Sequence, residues 1–431
     1  MTRDRKPQLT ALMTCICLLA ILSPALADET VVTEPVVTGP ELPETATATN
    51  DGDGSFDDAT SSINISSTFR GVRFTPDVRV QYEYTDDRFI DGERNEDTVL
   101  RGRLRLRSEF ALARFIRASA RIAALCSSDE CSPNPTLGSS PTAGRTMEDG
   151  DITLDEAYLQ FYRLRKFDLA LGRLQTKFVA RGGVFTKSLD RNDSNGVNVN
   201  WTDGFHGTYR ADNGWVSHFI IEQNDRENLS GNDDEENIVS SWSRRGYFVG
   251  FENLRRTKFF IQRAFDISYL PDALPTTADP EGPREDYYGL VLRSANRWPE
   301  RNDGIRLRVA AELGYAPKTP PKELIGIEGE GDTDGLAWNV VLSVMDFLPD
   351  HSIGVNYAET GAGWLLSPQY GENEKLGEIR YQWRPNQNLA VEVRYRKRKE
   401  LETLILSDPR QEENDIFLRF TYAGKTRGGN R

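Results

Sequence analysis

The chain has 431 residues and a formal net charge of -13 at pH 7, with 38% hydrophobic residues, three histidines and four cysteines. So acidic a balance argues against nucleic acid as a partner. The histidines, His206, His218 and His351, are too far apart in sequence to suggest a metal site, and neither a metal nor a cofactor is expected.

Arg3, Arg5 and Lys6 precede an apolar run from Leu12 to Leu22 and an Ala25-Leu26-Ala27 ending. This is the layout of a secretory signal peptide over residues 1–27. A lipoprotein would need a Cys at the cleavage point, whereas Cys15 and Cys17 lie inside the apolar run. No later run approaches the roughly 20 apolar residues of a spanning helix. Residues 28–73 form an acidic extension rich in Thr, Pro and Gly, too poor in apolar residues to bury a core, and are predicted to be disordered.

From residue 74 to 422 short alternating runs take over. Val78, Val80, Tyr82 and Tyr84 oppose Arg79, Gln81 and Glu83. The next run, "TVLRGRLRLRSEFAL" (98–112), places Arg101, Arg103, Arg105 and Arg107 at every second position, with Leu100 before them and Gly102, Leu104 and Leu106 between them. Only a strand puts four such residues on one side. Ile116, Ala118, Ala120 and Ile122 then oppose Arg117, Ser119 and Arg121. The same pattern returns near the C-terminus, with Arg380, Arg394, Arg396 and Arg419 on the polar faces of their runs and Trp383 and Tyr422 at the ends. Each run is expected to carry one apolar and one polar or charged face. Cys126 and Cys131, in "CSSDEC", are expected to close a small disulfide loop in an oxidising compartment.

Connections alternate in length. Seven short joints and eight long polar stretches, among them 87–97, 126–151 and 174–203, divide the chain into sixteen strands with both ends on the short-turn side. "KFVARGGVF" and "NGVNVNW", within 174–203, are a candidate extra hairpin that would make eighteen. The expectation is an all-β transmembrane antiparallel barrel of 16–18 strands in the bacterial outer membrane, with periplasmic turns and external loops. A soluble secreted sandwich or propeller would also alternate. Well-formed polar faces and aromatic strand ends favour the barrel, in which closure satisfies every backbone group. Outer-membrane lipid and lipopolysaccharide are then partners.

On the lipid side each mid-membrane arginine would cost roughly 2–4 kcal/mol, so the arginines belong in the lumen. Closure joins the last strand to the first. Arg79, Arg103, Arg105, Arg117, Arg121, Arg380, Arg394, Arg396 and Arg419 would then share one wall, outnumbering Glu83, Glu109, Glu378 and Glu392. Guanidinium groups in surplus suit carboxylate or phosphate solutes. A wall merely braced by ion pairs is the alternative.

The stretches "LRGRLRLRSEF" (100–110), "DEAYLQFYRLRKFDLALGRLQTKF" (155–178) and "LDRNDSNGVNVNWTDGFHGTYR" (189–210) resemble outer-membrane porins of the alginate-export family. That resemblance implies eighteen strands and an arginine-rich pore passing an acidic (uronate) saccharide or polysaccharide. Leu171-Gly172-Arg173-Leu174-Gln175 departs from the family's L-G-R-Q-like motif. A terminal aromatic is the usual signal to the barrel assembly machinery, but here Tyr422 is followed by "AGKTRGGNR".

Other functions fit less well. No G-x-S-x-G, H-E-x-x-H or Walker-type loop accompanies the histidines, so no catalytic residues are assigned. A structural or adhesive barrel is the second alternative. Its acidic loops "GNDDEEN" (231–237) and "EGEGDTDG" (328–335) are candidates for calcium or lipopolysaccharide contact, though without EF-hand spacing.

Overall fold

The computed structural model describes residues 72–404 and 410–424, apart from 132–133, 136–146, 148, 194–198, 224–244, 256, 258, 278–281, 299–304 and 368. The signal peptide, most of the acidic extension, the loop 231–237 and the tail from residue 425 lie outside the described residues. Val72 and Arg73, assigned above to the extension, instead open the first strand, and Ala423, assigned to the tail, closes the last.

The strands are β1 (Val72–Phe89), β2 (Arg94–Ala113), β3 (Ile116–Ser127), β4 (Asn134–Pro135), β5 (Asp151–Leu164), β6 (Phe167–Leu174), β7 (Thr202–Arg210), β8 (Trp215–Glu222) and β9 (Gly246–Asn253). They continue as β10 (Phe260–Pro275), β11 (Arg284–Arg297), β12 (Arg306–Tyr315), β13 (Leu336–Leu348), β14 (His351–Thr360), β15 (Glu374–Trp383), β16 (Leu389–Glu400) and β17 (Arg410–Ala423). Strand β4 is a two-residue parallel pairing at the start of β5. The other sixteen run antiparallel, each to its neighbour, and β17 pairs with β1 from Asp77 opposite Ala423 to Phe89 opposite Arg410. The sheet is therefore a closed barrel with no free edge.

Alternation sorts the side chains. Tyr82, Leu106, Ile122, Leu292, Val355, Val393, Ile416 and Phe420 are exposed on the outside, where lipid would cover them. Their neighbours Gln81, Arg105, Arg121, Arg293, Asn356, Glu392, Asp415 and Thr421 are buried inside. The expected short joints near 113–115, 164–166, 212–214, 348–351 and 385–388 each link two consecutive antiparallel strands at one end of the barrel, whereas those near 254–257 and 295–303 include residues outside the described set. In the joint between β13 and β14, Asp350 takes φ 65°, a left-handed conformation that Asp tolerates better than most residues.

Three sequence expectations are corrected. Among the described residues of 174–203 there is no extra hairpin: beyond the end of β6 at Leu174 they carry an isolated bridge, Lys177 to Asn192, before β7, and the barrel has sixteen strands rather than eighteen. The stretch 87–97 is mostly strand, because β1 and β2 continue pairing from Tyr84 opposite Thr98 to Arg88 opposite Arg94, and only Ile90–Glu93 turn. Polar residues on both faces concealed this ladder. Finally, the inner face is not polar throughout: Val291, Ala295, Ala310, Ala337 and Val341 are fully or almost fully buried and point inward from β11, β12 and β13.

Candidate functional site

Those inward apolar residues form the bed for a loop. After β6 the chain turns into the lumen, and Ala180, Val184 and Phe185 pack with Ile261, Ala295, Ala310, Val341 and Met345. Backbone polarity within the barrel needs partners. The Arg181 N–H donates to Gln262 Oε1 at 2.8 Å, Gln262 Nε2 donates to Val179 O at 2.9 Å, and the Leu189 N–H donates to Glu312 Oε2 at 3.2 Å. Strand residues on the wall thus supply the bonds that the loop cannot make to itself.

A second inward loop, its described residues 361–367 and 369–371, locks the first. Trp364 is 1% exposed and its Nε1–H donates to Leu189 O at 2.9 Å, while the Tyr287 hydroxyl donates to Gly363 O at 3.0 Å. A Cβ at Gly314 would lie 2.8 Å from the Trp364 ring, so the missing side chain at that wall position makes the seat. Both loops rest against the β10–β15 side of the barrel.

Beside them, on β1–β3 and β15–β17, stands the arginine wall, and its Arg380 touches the first loop, Nη1–H donating to Val184 O at 3.4 Å. Arg79, Arg103, Arg105, Arg121, Arg380, Arg394 and Arg419 are buried on the inner face; Arg396 is partly buried there. Arg117 is on the same face but nearer the short-turn end, partly exposed, with its guanidinium 5.0 Å from the Tyr162 ring centre. The closing seam brings the two sequence clusters side by side, and the C-terminal one gathers around Phe417 of β17. The Arg394 and Arg419 guanidiniums lie 4.0 and 4.3 Å from that ring's centre, within cation–π range.

Register makes arginines face each other directly. Arg79 is opposite Arg103, Arg107 opposite Arg121, and Arg380 opposite Arg394. Like charges so placed destabilise a sheet unless anions intervene. The chain supplies several: Asp77 with Arg103 (2.9 Å), Asp155 with Arg105 (3.0 Å) and Arg121 (2.8 Å), and Glu156 with Arg121 (2.6 Å). Glu378 pairs with Arg380 (2.7 Å), Glu83 with Arg394 (3.1 Å), Glu413 with Arg396 (3.0 Å) and Glu392 with Arg419 (3.4 Å).

Asp77, Asp155, Glu156, Glu413 and Asp415 were missing from the expected acid set, and they narrow the arginine surplus read from sequence. Alternation in "EENDIF" was the available signal for Glu413 and Asp415, whereas the consecutive Asp155 and Glu156 both reach the interior because the β3–β5 register shifts between Arg121 and Ile122. The wall nevertheless keeps unsatisfied donors. Arg105 Nη2 is buried without a hydrogen bond among the described residues.

Lys187, on the first inward loop, reaches the wall and pairs with Glu378 at 2.5 Å. Burial pushes its ammonium below the ordinary lysine value, and the Glu378 carboxylate opposes that shift. On the far side Arg293 is enclosed by Asp266 (2.8 Å) and Glu312 (2.5 Å), beneath the loop.

Cys126 and Cys131 are joined as a disulfide at the long-loop end of β3. His206 lies within β7 and His218 within β8, and His351 opens β14. His206 and His218 are neighbours across the β7–β8 hairpin, which their separation in sequence concealed.

A family model described as "Putative porin" matches residues 53–212. No curated protein matches the chain in sequence. Among solved structures, the chain is similar to OprB of Pseudomonas putida at 12% identity and a TM-score of 0.56, covering 82% of this chain and 94% of that one. It is also similar to an anion-selective porin from Comamonas acidovorans at 10% identity and a TM-score of 0.50, covering 82% and 99%. Sixteen closed antiparallel strands, an apolar exterior, inward-folded loops and these likenesses together give a β-barrel of the bacterial outer membrane with the fold of a porin.

Proposed function

We propose that the barrel is a channel, rather than an enzyme, for anionic solutes, with carboxylated molecules such as uronate-containing saccharides as its substrate class. The directly opposed arginine pairs carry this reading. Cross-strand like charge costs stability, and three such pairs on one inner wall are understandable if anions passing along it share the stabilising role with the wall's own acids. Guanidinium groups also suit bidentate carboxylate contact. Because a low-dielectric wall focuses the field of fixed charges, the local potential need not follow the net charge of -13.

The braced-wall reading also has an observation in its favour, since so many of these arginines have carboxylate partners within the barrel. Reversal potential in a planar bilayer under a salt gradient separates the two. A channel for anions gives an anion-selective potential, and oligouronates added to one side reduce the chloride current. A cation-selective potential overturns the proposal.

A further inference from the structure

His206 of β7 and His218 of β8 both point into the lumen, where Phe178 of the inward loop touches their rings edge-on at centroid distances of 6.2 and 4.9 Å. Thr208 is directly opposite His218 and His206 is opposite Ile220, so the imidazoles meet on a diagonal of the hairpin. His206 Nε2 and His218 Nδ1 are 3.1 Å apart, and Thr208 Oγ1 is 3.4 Å from the same His206 nitrogen. Two of the three histidines of the chain thus converge on one point.

We propose that His206 and His218 form a two-imidazole chelate for a late first-row divalent cation, such as Cu²⁺ or Zn²⁺, on the lumen wall. With metal–nitrogen bonds of roughly 2.0–2.1 Å, nitrogens this far apart subtend about 98° at the ion, a bite that suits a cis pair in tetragonal or near-tetrahedral coordination. No third His, Cys, Asp or Glu joins them among the described residues, so water and the Thr208 hydroxyl complete the shell. Neutral rings already share one proton across this contact. On binding, that proton moves to the far nitrogen of its own ring, both lone pairs turn to the metal, and no proton is released.

The surrounding charges allow a dication. Arg210 is paired with Asp168, and Arg191 with Glu222 at 2.6 Å, so neither guanidinium stands uncompensated beside the rings. His218 Nε2 is buried and makes no hydrogen bond, which leaves that ring without the outer acceptor that strengthens most histidine ligands. The affinity is therefore that of a two-ligand site, and it falls in acid, where protons compete with the metal for the ring nitrogens.

The test uses the full barrel, refolded without a polyhistidine tag, with Cu²⁺ as probe. Calorimetry is expected to give one site, and electron paramagnetic resonance two in-plane nitrogens. His206→Gln and His218→Gln are each expected to weaken binding at least about tenfold, whereas His351→Gln leaves it unchanged. Unaltered affinity in folded His206→Gln and His218→Gln overturns the chelate, as does loss of the site in His351→Gln. Should the substitutions prevent folding, the wild-type spectrum decides: fewer than two coordinated nitrogens overturns the assignment.

Discussion

Arg79 of β1 and Arg103 of β2 stand directly opposite each other on the inner wall, with Asp77 hydrogen-bonded to Arg103 at 2.9 Å. Arg105, two residues further along β2, has one buried donor unmatched. Replacing Arg103 and Arg105 by Ser removes two positive charges and leaves Asp77 and Asp155 with weaker compensation. The reversal potential is expected to move toward cations. That shift should be larger at roughly 0.01 M salt, where charges act over about 30 Å, than at 1 M, where they act over about 3 Å. An unchanged potential at low salt would mean that these arginines only brace the wall.

The seat of Trp364 predicts a change in pore size. Trp364→Ala removes a fully buried ring and its bond to Leu189 O, a loss of roughly 3–5 kcal/mol for a well-packed site. Barrel strands do not depend on that contact, so the folded band on a gel should persist. Single-channel conductance should rise as the inward loops lose their anchor, and equal conductance in variant and wild type would count against a loop-defined constriction.

Arg293 offers a test of stability alone. Its substitution by Met strands Asp266 and Glu312 as buried, uncompensated carboxylates, which costs roughly 3–5 kcal/mol. Urea unfolding from lipid vesicles measures this directly. Because a carboxylate without its partner is more readily protonated, part of the loss should return as pH is lowered toward 5. A loss that is the same at both pH values would point to packing instead.

Truncation addresses the seam. Ala423 N–H donates to Asn388 O at 2.8 Å and Thr421 faces Arg79, so β17 is needed up to Ala423. Removing 425–431 is expected to leave heat-modifiable migration intact, while removing 413–424 abolishes it. Failure of the shorter truncation would assign assembly information to the tail.

The strand pattern was readable because lipid and water impose opposite demands on alternate residues, and in β1–β3 and β15–β17 the sequence meets both. The inward loops were not readable that way. "KFVARGGVF" has the composition of a strand, and what keeps it from being one is a bed of Ala310, Val341 and Ala295 on distant strands, together with the bond from Trp364. Such a fit depends on three-dimensional neighbours. Val341 and Val291, with Ala295, Ala310 and Ala337, apolar where alternation called for polar residues, were the local sign that something other than water covers the inner face. The arginines were visible individually, but their partners Asp155 and Asp415 required the strand register. The histidine pair required it too.

The place where β17 meets β1 has a consequence for how the wall comes into being. Arg380, Arg394 and Arg419 belong to the last three strands and Arg79, Arg103 and Arg121 to the first three, so in an unclosed sheet they occupy opposite margins. Zipping the seam from Asp77–Ala423 to Phe89–Arg410 is the event that unites them. A chain arrested one pairing short of completion would hold every one of these arginines and still lack the wall. The path is thus a property of the finished ring: the directly opposed pairs form within each margin, and closure adds the contacts across the join, where Arg419 donates to Gln81 and Arg394 pairs with Glu83.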